Sequence, residues 1–182
     1  MVKPEWITLG IDPSLTSTGI SMLGQTISIR RDSTGPQRLM EIGDQIMYSV
    51  TKNAVDCVAI EHYSYASRNS QAHSIGELGG VIRVALYEAG TPTIEIPPTC
   101  RAKFATGKGN AGKPEVVSSI SARTGIIWNG GDGSDRCDAW VLEEMLRYKL
   151  GLSTIDWPKS HTDALEKVDW SPLEKLTKGN TK

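Results

Sequence analysis

WITLGID, residues Trp6–Asp12, is followed by two further β-type runs, TGISML (Thr18–Leu23) and TISIRR (Thr26–Arg31). Their reading decides the fold. All three are rich in β-branched residues, and the last two are joined by Gly24-Gln25, which predicts a hairpin. The first run stops at Asp12-Pro13-Ser14, a turn-forming stop that leaves a carboxylate at a strand end.

Beyond Gly35-Pro36 the period changes. Leu39, Ile42, Ile46, Met47 and Val50 recur at helical spacing, and Val55–Glu61 (VDCVAIE) is a mostly apolar run suited to a strand covered on both faces. A long helix is predicted over about residues 70–89, with Ile75, Leu78, Ile82 and Leu86 on one stripe. A strand over Thr91–Ile96 is stopped by Pro97-Pro98. After a basic segment come a helix from Pro114 to Arg123 and, beyond the loop Gly130–Gly133, a helix from Asp135 to Leu150 with Ser134 as its N-cap. An antiparallel hairpin followed by βα units describes an α/β fold, a mixed five-stranded sheet flanked by helices.

The 182 residues suit one domain, here residues 1–150. Residues 151–182 hold Trp157 and Trp170 in polar surroundings and read as a polar C-terminal tail, loosely docked, with one short helix or partly disordered. With 38% hydrophobic and 23% charged residues the chain reads as soluble and globular, and its apolar runs are too short for a membrane span. Cys57, Cys100 and Cys137 form no CxxC pair, which argues against a disulfide framework or zinc site and for a reducing cytoplasm.

Four acids carry the chemistry. Asp12 and Glu61 end two strands that can lie side by side. Asp135 and Asp138, three apart in the first turn of a helix, share one face with Cβ atoms about 5–6 Å apart. Two carboxylates 4 Å apart repel by about 4 kcal/mol at an effective dielectric of 20. Four together call for cations, and Mg²⁺ or Mn²⁺ prefers such oxygens. Two such ions per site would suit phosphodiester hydrolysis. Taken singly, the residues have simpler explanations. Asp135 and Asp138 suit a helix N-terminus without metal, and Asp12 suits a turn. Glu61 is harder to explain so, because a charge ending an apolar strand needs a partner.

The net charge of −1, 20 basic against 21 acidic residues, runs against nucleic-acid binding. The distribution does not. Thr99–Lys113 carries Arg101, Lys103, Lys108 and Lys113 without one acid, and these are candidate DNA contacts. Lys113 stands at the positive end of a helix, where the macrodipole disfavours a cation, so a phosphate shared with the helix N-terminus would justify it. Gly107, Gly112 and Lys113 also satisfy the start of a P-loop, but Pro114 replaces the required Ser or Thr and no apolar strand leads in, so no nucleotide cofactor is expected. Tyr63 and Tyr65, with Arg68, could stack on unpaired bases or simply pack. His62 should point to the opposite face from Glu61.

Four blocks in order, GIDPSLTSTGIS (Gly10–Ser21), VAIEHYSYASRNS (Val58–Ser70), GKGNAGKPEVV (Gly107–Val117) and SDRCDAWVL (Ser134–Leu142), resemble the RuvC-type Holliday junction resolvases of the ribonuclease H-like superfamily. The resemblance runs from Trp6 to Leu150. It implies a metal-dependent endonuclease acting on branched DNA, with Asp12, Glu61, Asp135 and Asp138 as catalytic metal ligands and Lys113 near the scissile phosphate. It also implies a homodimer through the helix at 70–89, where Gly76, Gly79 and Gly80 thin one face. Two copies about a twofold axis suit a four-way junction that needs two symmetric nicks. Ser14 stands where the family commonly has glycine, Ser64 falls where it places a wedging aromatic, and the tail has no counterpart. Such drift fits a phage-encoded member. The rival expectations are a nuclease of the same fold acting on flaps, forks or RNA hybrids, and a junction-binding protein without catalysis.

Overall fold

The computed structural model describes residues 6–62 and 71–178, without the side chains of residues 71–75, 175, 177 and 178. Five strands, β1 (Thr8–Asp12), β2 (Thr18–Met22), β3 (Gln25–Ile29), β4 (Cys57–Glu61) and β5 (Thr93–Ile96), form one sheet in the order β3-β2-β1-β4-β5. The first three pair antiparallel, while β4 runs parallel to both β1 and β5. The expected mixed five-stranded α/β sheet is therefore present.

Side-chain alternation divides the sheet into two faces. Leu9, Ile11, Val58 and Ile60 join a core with Ile42, Ile46 and Val50 of α1 (Gly35–Lys52) and Leu78, Ile82 and Leu86 of α2 (Gln71–Glu88). Cys57, Ala59, Ile94 and Ile96 face the opposite core, built from α3 (Pro98–Thr106), α4 (Lys113–Thr124) and α5 (Gly133–Lys149). Helix α5 crosses the centre of that face. It fits there because Gly10 and Gly19 carry no side chain: a Cβ on either would collide with the backbone of α5, at Ala139 and Asp135 respectively.

Three local expectations are corrected. The hairpin turn is Leu23-Gly24, one residue earlier than Gly24-Gln25. Both residues have positive φ (52° and 75°), as a two-residue turn matched to strand twist demands, and exposed Leu23 accepts a conformation more natural to glycine. Ser134 lies within α5 rather than capping it; the cap is Asp132, whose side chain makes no capping hydrogen bond. The basic segment after β5 contains a helix, α3, that the sequence pattern did not reveal. Its Cys100, Arg101, Ala102, Phe104 and Ala105 are all buried, so it has no single apolar stripe.

Residues 151–178 depart from the expectation as well. They form α6 (Lys159–Thr162), a 3-10 turn (Asp163–Lys167) and α7 (Ser171–Lys178), and Trp157, Leu165, Val168 and Leu173 are buried in the α5-side core. Packing, not loose docking, holds this segment. Among the described residues no helix is long and apolar enough to cross a membrane.

Candidate active site

Asp12 and Glu61 have the same parity as Gly10 and Ala59, so both belong to the face covered by α5. The register Ile11↔Ile60 sets these two residues side by side at the C-terminal ends of neighbouring parallel strands. Asp135 and Asp138 come from the first two turns of α5, above them. Lys113, at the start of α4, ties three of the four together: its Nζ is 2.7 Å from Asp135 Oδ1, 3.5 Å from Asp138 Oδ2 and 3.9 Å from Asp12 Oδ2.

Arg101 completes the cluster. A candidate DNA contact by sequence, it is only 7% exposed, and its guanidinium donates from Nε to Glu61 Oε2 and from Nη1 to Asp138 Oδ1. Its burial has a topological cause. Arg101 follows β5 by five residues, and β5 ends beside Glu61 (register Glu61↔Ile96), so the first turns of α3 lie over the same strand ends. The available signal was its distance from a strand end, which composition does not weigh.

The electrostatics reflect this crowding. Burial pushes the Asp12 carboxyl well above its ordinary range; the charges of Glu61 and Asp138 add to the rise, and Lys113 and Arg101 oppose it. Burial also raises Asp138, to about 6, against the pull of Arg101 and Lys113. Burial works against the charge on Arg101 and Lys113 too, but the surrounding carboxylates outweigh it and both are held more firmly protonated than usual.

The donor set suits a hard divalent ion. Among the described residues no three His, Cys, Asp or Glu side chains are arranged to hold an ion as they stand, because Arg101 and Lys113 lie between the carboxylates. Asp138 is 1% exposed, and although its Oδ2 accepts no hydrogen bond it faces the half-exposed Lys113 ammonium at 3.5 Å, a cation whose place a divalent ion could take. All four candidate ligands are carboxylates, the chemistry that Mg²⁺ and Mn²⁺ favour.

The other candidates are dispersed. Lys103 is half-buried on α3, and Lys108 is exposed with Nζ 3.0 Å from Glu115 Oε1. His62 lies on the face away from Glu61, its Nε2 3.6 Å from Glu95 Oε2. Tyr63, Tyr65 and Arg68, with Ser64, fall outside the described residues. The sequence reading did not find Glu143, a buried acid behind the site that accepts hydrogen bonds from Thr8 Oγ1 (3.2 Å), Ser21 Oγ (2.6 Å) and the Gly24 amide (3.2 Å). Its position in the middle of a helix gave no sign of burial.

A mixed five-stranded sheet of this order flanked by helices is the ribonuclease H-like fold. The family model described as crossover junction endodeoxyribonuclease RuvC matches residues 8–123, and the chain belongs to that family. Enzymes of the family are metal-dependent nucleases. A relative from Rhodopirellula baltica with the same description is 32% identical over 130 residues, covering 65% of this chain and 73% of its own. One from Sorangium cellulosum is 30% identical over 125 residues, covering 63% and 70%. Among solved structures, T. thermophilus RuvC in complex with a Holliday junction substrate superposes with a TM-score of 0.63 at 21% identity, covering 81% of this chain and 98% of that one. At that identity the likeness speaks for the fold.

Proposed function

We propose that this protein resolves branched DNA, four-way junctions above all, by hydrolysing one phosphodiester bond in each of two strands. The observation that carries the proposal is the convergence of Asp12, Glu61, Asp135 and Asp138 in one cluster, held together by the side-chain cations of Lys113 and Arg101. Asp12, Glu61, Asp135 and Asp138 would hold Mg²⁺ or Mn²⁺, two ions per site during catalysis. Such ions would supply activation of water at neutral pH and neutralisation of charge on the leaving oxygen. Water adds to phosphorus and one P–O ester bond breaks, leaving a phosphate monoester and a hydroxyl.

Lys113, half-exposed at the mouth of the cluster, has the reach to leave Asp135 for a phosphate oxygen and neutralise charge developing there. Lys103 and Lys108, elsewhere on the same basic segment, would be further phosphate contacts, with Tyr63, Tyr65 and Arg68 on the segment after Glu61. Binding should therefore weaken as salt rises, through counterion release.

The protein acts as a homodimer through α2. Val81, Val84 and Tyr87 are exposed on that helix, Tyr87 at 85%, and an apolar trough between Leu39 of α1 and Val81, Val84 and Ala85 of α2 continues the patch. Gly80 on the same face leaves open space, so a partner backbone can approach. The nuclease domain is assigned to residues 1–150 and the C-terminal tail to 151–182, of which the described part, to residue 178, packs against it. Three free, buried cysteines suit the reducing cytoplasm of a bacterial cell or a phage-infected host.

The test is nicking of a synthetic four-way junction, with flap, fork and RNA-hybrid substrates alongside, in Mg²⁺ and in Mn²⁺. Wild type should cut the junction best. Asp12→Asn should lose more than about a hundredfold, since even outer partners of a metal site cost tenfold to a hundredfold. Junction binding without nicking would make the protein a binding module, and unaltered cutting by Asp12→Asn would remove the carboxylate cluster from the chemistry.

A further inference from the structure

The two side-chain cations of the cluster differ in their freedom. Lys113 is half-exposed, and its long stem opens to solvent at the start of α4. Arg101 is buried and planar, with two of its donors directed at Glu61 and Asp138. Its helix is held from behind: Phe104 lies against Trp157 with ring centroids 4.3 Å apart, and the Phe104 carbonyl is 2.7 Å from His161 Nδ1. A lysine at the mouth can leave at little cost. A buried guanidinium on a clamped helix cannot leave without stripping both carboxylates of their partner.

Charge gives the consequence. Once fully ionised, as cation binding requires, four carboxylates exceed the two side-chain cations by two negative charges, the amount one divalent ion neutralises. A second ion would meet a cage already balanced and a guanidinium in its way. The oxygens open to the first ion are at the Asp12 end, where Asp12 Oδ2 and Asp138 Oδ2 are paired with the half-exposed Lys113, at 3.9 and 3.5 Å, rather than with the buried guanidinium.

Resting on the nuclease reading above, we propose that Arg101 is a resident counter-cation that fills the Glu61–Asp138 end of the cage and limits the DNA-free enzyme to one divalent ion per subunit. The second ion enters only against Arg101, once substrate is bound. Arg101 is thus a positioning residue: it keeps Glu61 and Asp138 together before metal arrives and withholds full loading until then.

Counting Mn²⁺ bound to the DNA-free full-length chain, by electron paramagnetic resonance of the free ion and by calorimetry, tests this directly. Wild type should bind one ion per chain. Arg101→Gln should bind a second, at a free Mn²⁺ concentration at least about tenfold below that needed by wild type, because a like charge about 4 Å away has been removed. Arg101→Lys, which keeps the charge, should still bind one. The melting temperature supplies a second readout: Arg101→Gln should melt lower than wild type without metal and gain more from added Mn²⁺. Two equally tight ions in wild type overturn the inference without any variant. So does an unchanged count in folded Arg101→Gln, or a second tight ion in Arg101→Lys. If wild type nicks junctions while its ion count contradicts the inference, only the role of Arg101 falls. If wild type neither nicks nor binds Mn²⁺, the nuclease reading falls with it.

Discussion

Glu143 shows what one buried side chain can do to the pH response of the fold. Burial raises its pKa, against the pull of its hydrogen bonds from Ser21, Gly24 and Thr8 and the charge of Arg147. A group whose folded pKa exceeds its unfolded value of about 4.3 binds more protons when folded, so its contribution is complete below that pH and is lost as pH rises through the folded pKa. Glu143→Gln abolishes this titration while keeping an acceptor for the Ser21 hydroxyl. The stability of the variant relative to wild type should therefore rise from pH 4.5 to pH 7, measured by urea unfolding at both values. A difference that stays flat would mean the carboxyl is no harder to ionise in the fold than out of it.

Between elements, the segment beyond residue 150 carries more than its composition promised. Trp157 packs on Phe104, donates from Nε1 to Glu144 Oε1 at 3.0 Å, and lies under the Arg123 guanidinium, 4.8 Å from the ring centroid. Trp157→Ala should cost about 3–5 kcal/mol in urea unfolding, the range for removing a buried large aromatic. A loss below about 1 kcal/mol would mean the segment is dispensable to the core. Its buried apolar residues, Trp157, Ala164, Leu165, Val168 and Leu173, are set among charges, and no regular period links them, so pattern alone could not reveal their packing. Helix α3 was hidden for the opposite reason, being buried around most of its circumference. The strands and α1 were legible because each shows one clear period. Asp12 and Glu61 could be set side by side because a parallel register brings strand ends together. Arg101 could not be placed, since its burial depends on α3, α5 and the C-terminal segment at once.

For the whole molecule, two cutting sites are useful on a four-way junction only if a twofold axis relates them. The exposed Val81, Val84 and Tyr87 of α2 lie on the face of the sheet opposite α5, so a dimer formed there leaves both carboxylate clusters open to DNA. Val84→Asp should shift the protein from dimer to monomer in sedimentation at micromolar concentration with unchanged circular dichroism. A wild type that stays monomeric across that range would remove the dimer from the account. Everything said of catalysis depends on the carboxylate cluster being a cation site. Diffraction from Mn²⁺-soaked crystals, recorded to exploit the anomalous signal of manganese, tests that most directly. A peak is expected within coordinating distance of Asp12 and Asp138, and it should disappear in Asp12→Asn. A map with no peak at the cluster, or with manganese bound only elsewhere on the protein, would contradict it.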